Sequence, residues 1–386
     1  MKTRLKKISA AAAFKTTVSL VLLILLTLSP AACKKEPQGW APGKSISKND
    51  IKIGIIYLDN ADSGWSLAHD IGITATQKEL NLRDDQIIRK FNVSDADTGM
   101  LEYTISELIS EGANVIIATS WGFMDGCEKM AAEHPDIIFA HASGYKSNDT
   151  NFTNYFGRIY QARYLTGIVA GMKTQTGKVG FVAAQDVTNS EVTGGLDAFA
   201  MGVESVNPEA RVYVSITRSW FHPAFERSAA LSLAAAGCDV IAQHCDTAEP
   251  QIAAEQAGIW GIGSNIDMSS LAPKAVLTSA LWNWGAYYTK LINSIIDGSF
   301  TTTPYFGGLA DGLVDIAPLN KALVAPGTEE AVDAAKDRII NGGFNVFDGL
   351  IETNDGRTIG TSGGTLSDSE ITGGINWYYR NIIVLE

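Results

Sequence analysis

Ile51-Lys52-Ile53-Gly54-Ile55-Ile56-Tyr57 (IKIGIIY) opens the folded part of this chain and decides its class. Side chains alternate across a strand, so Ile51, Ile53 and Ile55 face one way while Gly54 and Ile56 face the other. Both faces are apolar, as in strands covered by helices on each side of a parallel sheet. Four similar runs follow: Gln86–Phe91, Val115–Thr119 (VIIAT), Ile137–Ala140 and Phe152–Phe156. Trp65–Leu80 and Thr98–Glu111, between them, carry helical periodicity. The alternation then begins again, with strands expected at Val179–Ala183, Val212–Thr217, Val240–Gln243, Ile259–Ile262 and Val276–Ser279. Helical stretches at Gly194–Val206, Ala224–Ala236 and Glu249–Ala257 separate them. Five strands followed by five more predict two doubly wound α/β lobes with parallel sheets rather than one sheet of ten.

Beyond Ser279 the pattern predicts a helix near Tyr287–Asp297, a β-like stretch at Gly308–Ile316 and a helix over Thr328–Ile340, stopped by Asn341-Gly342-Gly343. The Gly-, Ser- and Thr-rich tail from Ile351 ends in an apolar segment, Ile375–Leu385, expected to pack back on a lobe. Open α/β sheets bind ligands beyond the carboxyl ends of their strands, so the cleft between two such lobes is the expected site.

The N-terminus reads as an address. A basic stretch to Lys15 precedes Val18–Leu28 (VSLVLLILLTL), a length suited to a signal-peptide core and too short to span a bilayer comfortably. Ser29-Pro30-Ala31-Ala32-Cys33 resembles a lipobox, in which the Cys33 thiol is acylated; Pro30 stands where leucine is usual, and ordinary cleavage near Ala32 is the alternative. Residues 1–32 are therefore expected to be a signal peptide, and 33–49, rich in Pro, Gly and Lys, a lipidated tether to the membrane. The protein is thus expected in the cell envelope, on the periplasmic or outer cell surface. The formal charge is −12, and Lys2, Arg4, Lys6, Lys7 and Lys15 all precede Cys33, so the body is more acidic still. That balance argues against nucleic acid as a partner. Cys127, Cys238 and Cys245 have no metal-site spacing. Buried thiols are the preferred reading of the last two, with a disulfide as the alternative.

The strand ends carry the informative residues. Asp62-Ser63-Gly64-Trp65-Ser66 follows the first strand, Ser120-Trp121-Gly122-Phe123-Met124-Asp125 the third and His141-Ala142-Ser143-Gly144-Tyr145 the fourth. In the second half come Ser219-Trp220-Phe221-His222-Pro223, His244-Cys245-Asp246-Thr247, Gly263-Ser264-Asn265-Ile266-Asp267 and Trp282-Asn283-Trp284. Aromatic faces sandwich a flat ring, at about 1–3 kcal/mol per stacked base. Carboxylates accept hydrogen bonds from ring N–H and amino groups. The recurrence of both at successive strand ends suits a purine.

These segments resemble the basic membrane protein family of solute-binding lipoproteins, relatives of the purine nucleoside receptor A lipoproteins. The resemblance rests on DSGWS (62–66), WGFMD (121–125), FGRIYQARYLTGIVAG (156–171), KVGFVAA (178–184) and SWFHP (219–223). It continues through AAGCDVIAQHCDT (235–247), GIGSNIDM (261–268), LTSALWNWG (277–285) and GGLADGLVDIAP (307–318). It implies a type I periplasmic-binding-protein fold, with a cleft at a hinge of three crossovers. Residues 50–157 with about 283–306 would form one lobe, and about 158–282 with about 307–386 the other. It also implies purine substrates, ABC permease and ATPase partners and no cofactor; the chain is read as a monomer. Trp65-Ser66 stands where nucleoside binders of the family have Phe-Asn, and Trp282 where they have a ribose-binding lysine. Those departures favour an adenine-like nucleobase over a nucleoside. Trp65, Phe123 and Phe221 are expected to stack on the ligand and Asp267 to bind its edge, with Asp125, Asp246, Trp121, Trp220 and Tyr145 as further contacts. Arg158 is expected in an ion pair near a crossover.

A ligand sensor of the same fold is the first alternative. A nucleoside-processing enzyme is the second, yet the five histidines lack HExxH spacing, the chain has no GxxxxGK[ST] loop, and its GxSxG match, Gly360–Gly364, lies in the Gly-, Ser- and Thr-rich tail rather than in an elbow between strand and helix. Asp59 and Asp62, the one acidic pair that suggests a metal, read better as turn caps.

Overall fold

A computed structural model describes residue 40 and residues 43–385. The expected signal peptide, Cys33 and the first part of the tether lie outside the described residues. The described end of that tether is docked: Trp40 is buried, its ring edge-on to Phe300 with centroids 6.4 Å apart, and Lys44 pairs with Asp136 at 2.7 Å.

Ten strands appear in the order the hydrophobic runs predict: β1 (Ile53–Ile56), β2 (Ile87–Lys90), β3 (Val115–Ala118), β4 (Ile138–Ala142), β5 (Phe152–Gly157), β6 (Lys178–Ala183), β7 (Arg211–Ile216), β8 (Val240–His244), β9 (Trp260–Asn265) and β10 (Val276–Trp282). Five shorter strands follow: β11 (Tyr305–Gly307), β12 (Val314–Ile316), β13 (Asp348–Glu352), β14 (Thr358–Thr365) and β15 (Ile382–Val384). The first sheet has the order β11-β5-β4-β3-β1-β2 and is parallel throughout. The second runs β12-β10-β9-β8-β6-β7-β15, parallel except for the β10–β12 pair, and β13–β14 is a separate hairpin. The sheets therefore hold six and seven strands where five and five were expected. β12 falls at the end of the β-like stretch expected at Gly308–Ile316, whereas β11 and β15 have three residues each, too short for a hydrophobic pattern to reveal.

Every residue of β1, β3 and β4 is buried, which requires helices on both faces. Those helices are α1 (Gly64–Leu80), α2 (Thr98–Ser110), α3 (Met124–Glu133), α4 (Ile159–Lys173), α5 (Ser190–Val206), α6 (Pro223–Ala235), α7 (Glu249–Gln256), α8 (Trp284–Asp297), α9 (Thr328–Ile340) and α10 (Asp368–Gly374). Short polar residues at the strand-to-helix turns cap them: the side chains of Ser63, Asp97 and Asn189 accept from the N–H of Ser66, Met100 and Val192. The Asn189 cap starts α5 four residues before the expected Gly194. α3 and α4 lie where periodicity predicted no helix. α4 is buried along most of its length, so it lacks the polar face that marks an amphipathic helix.

The chain passes between the sheets three times: from β5 into α4, from β10 into α8, which packs on α1, and from β11 to β12. Hydrogen bonds tie these passages together, Arg158 N–H to Gly307 C=O at 2.7 Å and Asn283 N–H to Leu313 C=O at 2.7 Å. The Arg158 guanidinium forms the ion pair expected near the crossover, with Asp368, its Nε donating to Oδ1 at 2.9 Å. Cys127, Cys238 and Cys245 are free and buried, and burial pushes the thiols of Cys127 and Cys238 up to about 12. The disulfide alternative for Cys238 and Cys245 is thereby set aside.

Helices α4 and α5 touch backbone to backbone. A Cβ on Gly202 would stand 2.1 Å from the Tyr164 carbonyl oxygen, and one on Gly167 2.1 Å from that of Phe199. Neither oxygen belongs to a flexible side chain, so the helices would have to part. Gly202→Ala is expected to destabilise the protein by about 1–3 kcal/mol, the usual range for overpacking. Chemical denaturation would read this as a lower midpoint with an unchanged slope.

Candidate ligand-binding site

A cavity of about 580 Å³ lies between the two lobes, at the carboxyl ends of both sheets. From the first lobe it is lined by Leu58 after β1, Trp65 in the first turn of α1, Asp95 after β2, Ser120, Trp121 and Gly122 after β3, Ser143 after β4, and Phe156 of β5. From the second come Thr188, Asn189, Ser190 and Glu191 at the start of α5, Trp220 after β7, His244 and Asp246 at the end of β8, and Asn265 of β9. Thr372 and Gly373 of α10 complete it. No lysine or arginine is among these residues, so the wall suits an uncharged or cationic solute better than an anion.

Trp65 is fixed by its ring N–H, which donates to the Thr119 carbonyl at 2.7 Å. Its ring meets His69 edge-on at 4.7 Å and Trp282 at 6.1 Å. Trp282 in turn stacks on Trp284 with centroids 4.3 Å apart. An aromatic block thus runs from the cavity wall to the second crossover. Trp121 is 58% exposed at the mouth, while Trp220, half-buried, lies edge-on to His244 at 5.6 Å.

Asp246 is the most constrained polar group here. Its Oδ1 accepts from Asn265 Nδ2 at 2.8 Å, and its N–H donates to the Trp220 carbonyl at 2.9 Å. Its own carbonyl accepts from the Gly64 N–H at 2.7 Å, a main-chain bond that joins the two lobes across the cleft. Glu226, buried in α6, holds the loop from behind by accepting from the Thr247 N–H and hydroxyl at 3.0 and 2.6 Å. Arg163, buried in α4, donates to the Gln243 carbonyl at 2.6 Å and to Ser264 Oγ at 2.9 Å, which fixes the ends of β8 and β9. Asn265 and Ser143 have φ of 67° and 59°, a left-handed backbone that asparagine adopts more readily than most non-glycine residues.

Burial, and after it the neighbouring Glu226, pushes the Asp246 carboxyl well above its ordinary range. Burial and Arg163 push His244 down to about 4 against the opposing pull of Glu191, whose Oε1 is 3.6 Å from Nε2. His244 is therefore a neutral imidazole at pH 7. Together they offer a ligand one acceptor pair, Asp246 with Asn265, beside aromatic faces.

Four of the nine residues nominated from sequence line this cavity: Trp65, Trp121, Trp220 and Asp246. The other five do not. Phe123 is wholly enclosed in the core of the first lobe with Leu101, Ile105 and Met130. Its place in the loop turns it inward, leaving Trp121 on the cavity side. Phe221 is half-buried away from the lining. Asp267 is exposed and accepts from the Ser269 N–H at 2.9 Å, capping its own turn; Asn265, two residues earlier, takes the position at the wall. Asp125 is exposed in the first turn of α3 and pairs with Lys146 at 2.8 Å. Tyr145 is 72% exposed and is not among the lining residues. The missed group at Asn189–Glu191 followed from starting α5 too late, although Asn189 is a cap residue by type.

A carboxyl whose native value is raised above 3.8 keeps in the native state a proton that the unfolded chain releases. Its stabilising contribution is complete below about pH 4 and declines as pH rises. Asp246→Asn is therefore expected to gain thermal stability relative to the unmodified chain as pH rises from about 4 to 7, without ligand. Melting curves across that range would contradict this if the difference stayed flat.

The family model described as ABC transporter substrate-binding protein, PnrA-like (Bmp), matches residues 52–346. A purine-binding protein of Brucella abortus is 31% identical over 341 residues, 88% of this chain and 95% of that protein. A putative ABC transporter glucose-binding protein of Haloferax volcanii is 33% identical over 295 residues, 76% of this chain and 73% of that protein. Among solved structures, an ABC transporter solute-binding protein from Conexibacter woesei shares the fold, with a TM-score of 0.65 at 19% identity over 76% of this chain and 98% of that one. The carboxyl-end cleft, the three crossovers and these matches lead to one conclusion: the chain belongs to the Bmp family, the PnrA-like substrate-binding proteins of ABC transporters.

Proposed function

We propose that this chain captures a purine for an ABC importer, an adenine-like nucleobase in preference to a nucleoside, and delivers it to permease and ATPase subunits without chemical change. The observation that carries this is the pairing of Trp65, Trp121, Trp220 and Phe156 with the buried Asp246–Asn265 pair around one cavity. A flat heterocycle gains dispersion from indole faces and needs only a few edge hydrogen bonds to be oriented. Asp246 and Asn265 supply acceptors for a ring N–H and an exocyclic amino group, and Glu191 adds another at the α5 end. The name of the Brucella relative supports the same class.

Preference for the base draws support from Trp282. The position at which related nucleoside binders place a ribose-holding lysine is here an indole, buried and stacked on Trp284. It strengthens the wall behind Trp65 and offers no charge to a sugar hydroxyl. Closure would place the ligand between aromatic residues of opposite lobes, with the Gly64–Asp246 bond as a latch. We read the chain as exported and held to the membrane through Cys33, which lies outside the described residues.

Mass spectrometry of whatever the denatured protein releases, followed by calorimetry with adenine, adenosine and D-glucose, tests this reading. Adenine is expected to bind more tightly than adenosine, and glucose not at all. A clear win for adenosine would remove the base preference, and a response to glucose alone would remove the purine. Trp65→Ala is expected to weaken adenine by roughly 5- to 150-fold, the equivalent of about 1–3 kcal/mol for one stacked base.

A further inference from the structure

The last helix, α10, lies beyond residue 346, where the family match ends. It is nevertheless built into the cavity. At its start, Ser367 and Glu370 form a capping box, and the carboxylate of Asp368 grips the guanidinium of Arg158 at the first crossover. The same guanidinium donates to the Phe306 carbonyl at 2.8 Å, in the strand that leads to the third crossover. Ile371 and Ile375 are buried beside Gly194 of α5, where a Cβ would stand 3.2 Å from Ile375 Cδ1. The helix is therefore held at one end by the hinge and along its apolar side by the second lobe.

Its last turn is the part that faces the ligand space. Thr372 and Gly373 line the main cavity alongside Phe156, Ser190 and Glu191. Between Ile371 and Thr372 of the helix and the residues Phe156, Gly194 and Phe306 lies a crevice of about 20 Å³, roughly the room of one water. The main cavity thus meets α10 at its hinge side. At Gly373 a Cβ would meet nothing within 4 Å, and the residue has no left-handed backbone to forbid a side chain. Thr372 and Gly373 are both exposed, so they stand where the cavity opens to solvent, with free space in front of the glycine.

We infer that α10 is the end wall that sets how long a ligand the cavity accepts, with Thr372 and Gly373 as its specificity-determining residues and Arg158–Asp368 as the latch that fixes its position. The inference rests on the reading of the cavity as a purine site. A bare base stacked between the tryptophans leaves this end free, whereas a substituent carried on the base, such as a ribose, extends toward it. A larger residue at 373 shortens the cavity, and release of the latch lengthens it.

The test is the ratio of adenosine to adenine affinity, measured by calorimetry on the full chain. Gly373→Trp is expected to lower that ratio about tenfold or more. Asp368→Asn is expected to raise the ratio by about threefold or more, and it serves as the readout if the unmodified chain takes adenosine too weakly to follow. Melting temperatures of both variants, with Gly373→Ala beside them, show whether each retains its fold. A ratio unchanged in both folded variants overturns the wall. An unmodified chain that takes neither purine overturns the purine reading and this inference with it. The two failures are distinguishable, because the first leaves the ligand response of the unmodified chain intact.

Discussion

Parallel strands covered on both faces leave only their ends for chemistry, and this constraint organises the whole molecule. With β1, β3, β4 and β8 buried along their length, most polar and aromatic residues with access to a solute sit at the carboxyl end of a strand, in the turn after it or in the first turn of the following helix. Two such sheets in one chain, joined by three crossovers, turn their carboxyl ends toward one cleft. The site is therefore a consequence of the topology rather than an addition to it.

Within the cleft, groups are held in states that the fold alone would not favour. Asp246 is a buried carboxyl, and the buried Glu226 beside it makes its charge harder to bear. The chain surrounds them with donors, Asn265 for Asp246 and the Thr247 N–H and hydroxyl for Glu226, and it keeps His244 neutral. Asn265 and Ser143, with left-handed backbone, lie at the same surface. A ligand that donates hydrogen bonds to Asp246 would relieve part of that cost, which couples binding to closure of the lobes through the Gly64–Asp246 bond.

The aromatic residues divide between two tasks that look alike in sequence. Trp65, Trp121 and Trp220 reach the cavity, while Trp282 and Trp284 stack on each other and connect it to the second crossover. Phe123, two residues from Trp121, fills the core of the first lobe. Where a loop turns through a short helical segment, neighbouring rings face opposite ways, and their type alone does not say which one is outside.

The sequence by itself determined the fold class, because burial on both faces is written in strands such as IKIGIIY and the alternation with helices leaves a parallel sheet as the arrangement that covers them. It also determined that the strand ends carry the site, and the order and spacing of its motifs carried the resemblance to the family. It did not determine β11 or β15, whose three residues pair only because the tertiary fold brings them to a sheet edge. Nor did it determine that Asn265 rather than Asp267 faces the cavity, or that Glu191 and, far along the chain, Thr372 and Gly373 join its lining. Those are facts of side-chain direction and long-range packing. A turn residue one or two positions away points elsewhere, and only the tertiary structure fixes which of them meets the ligand.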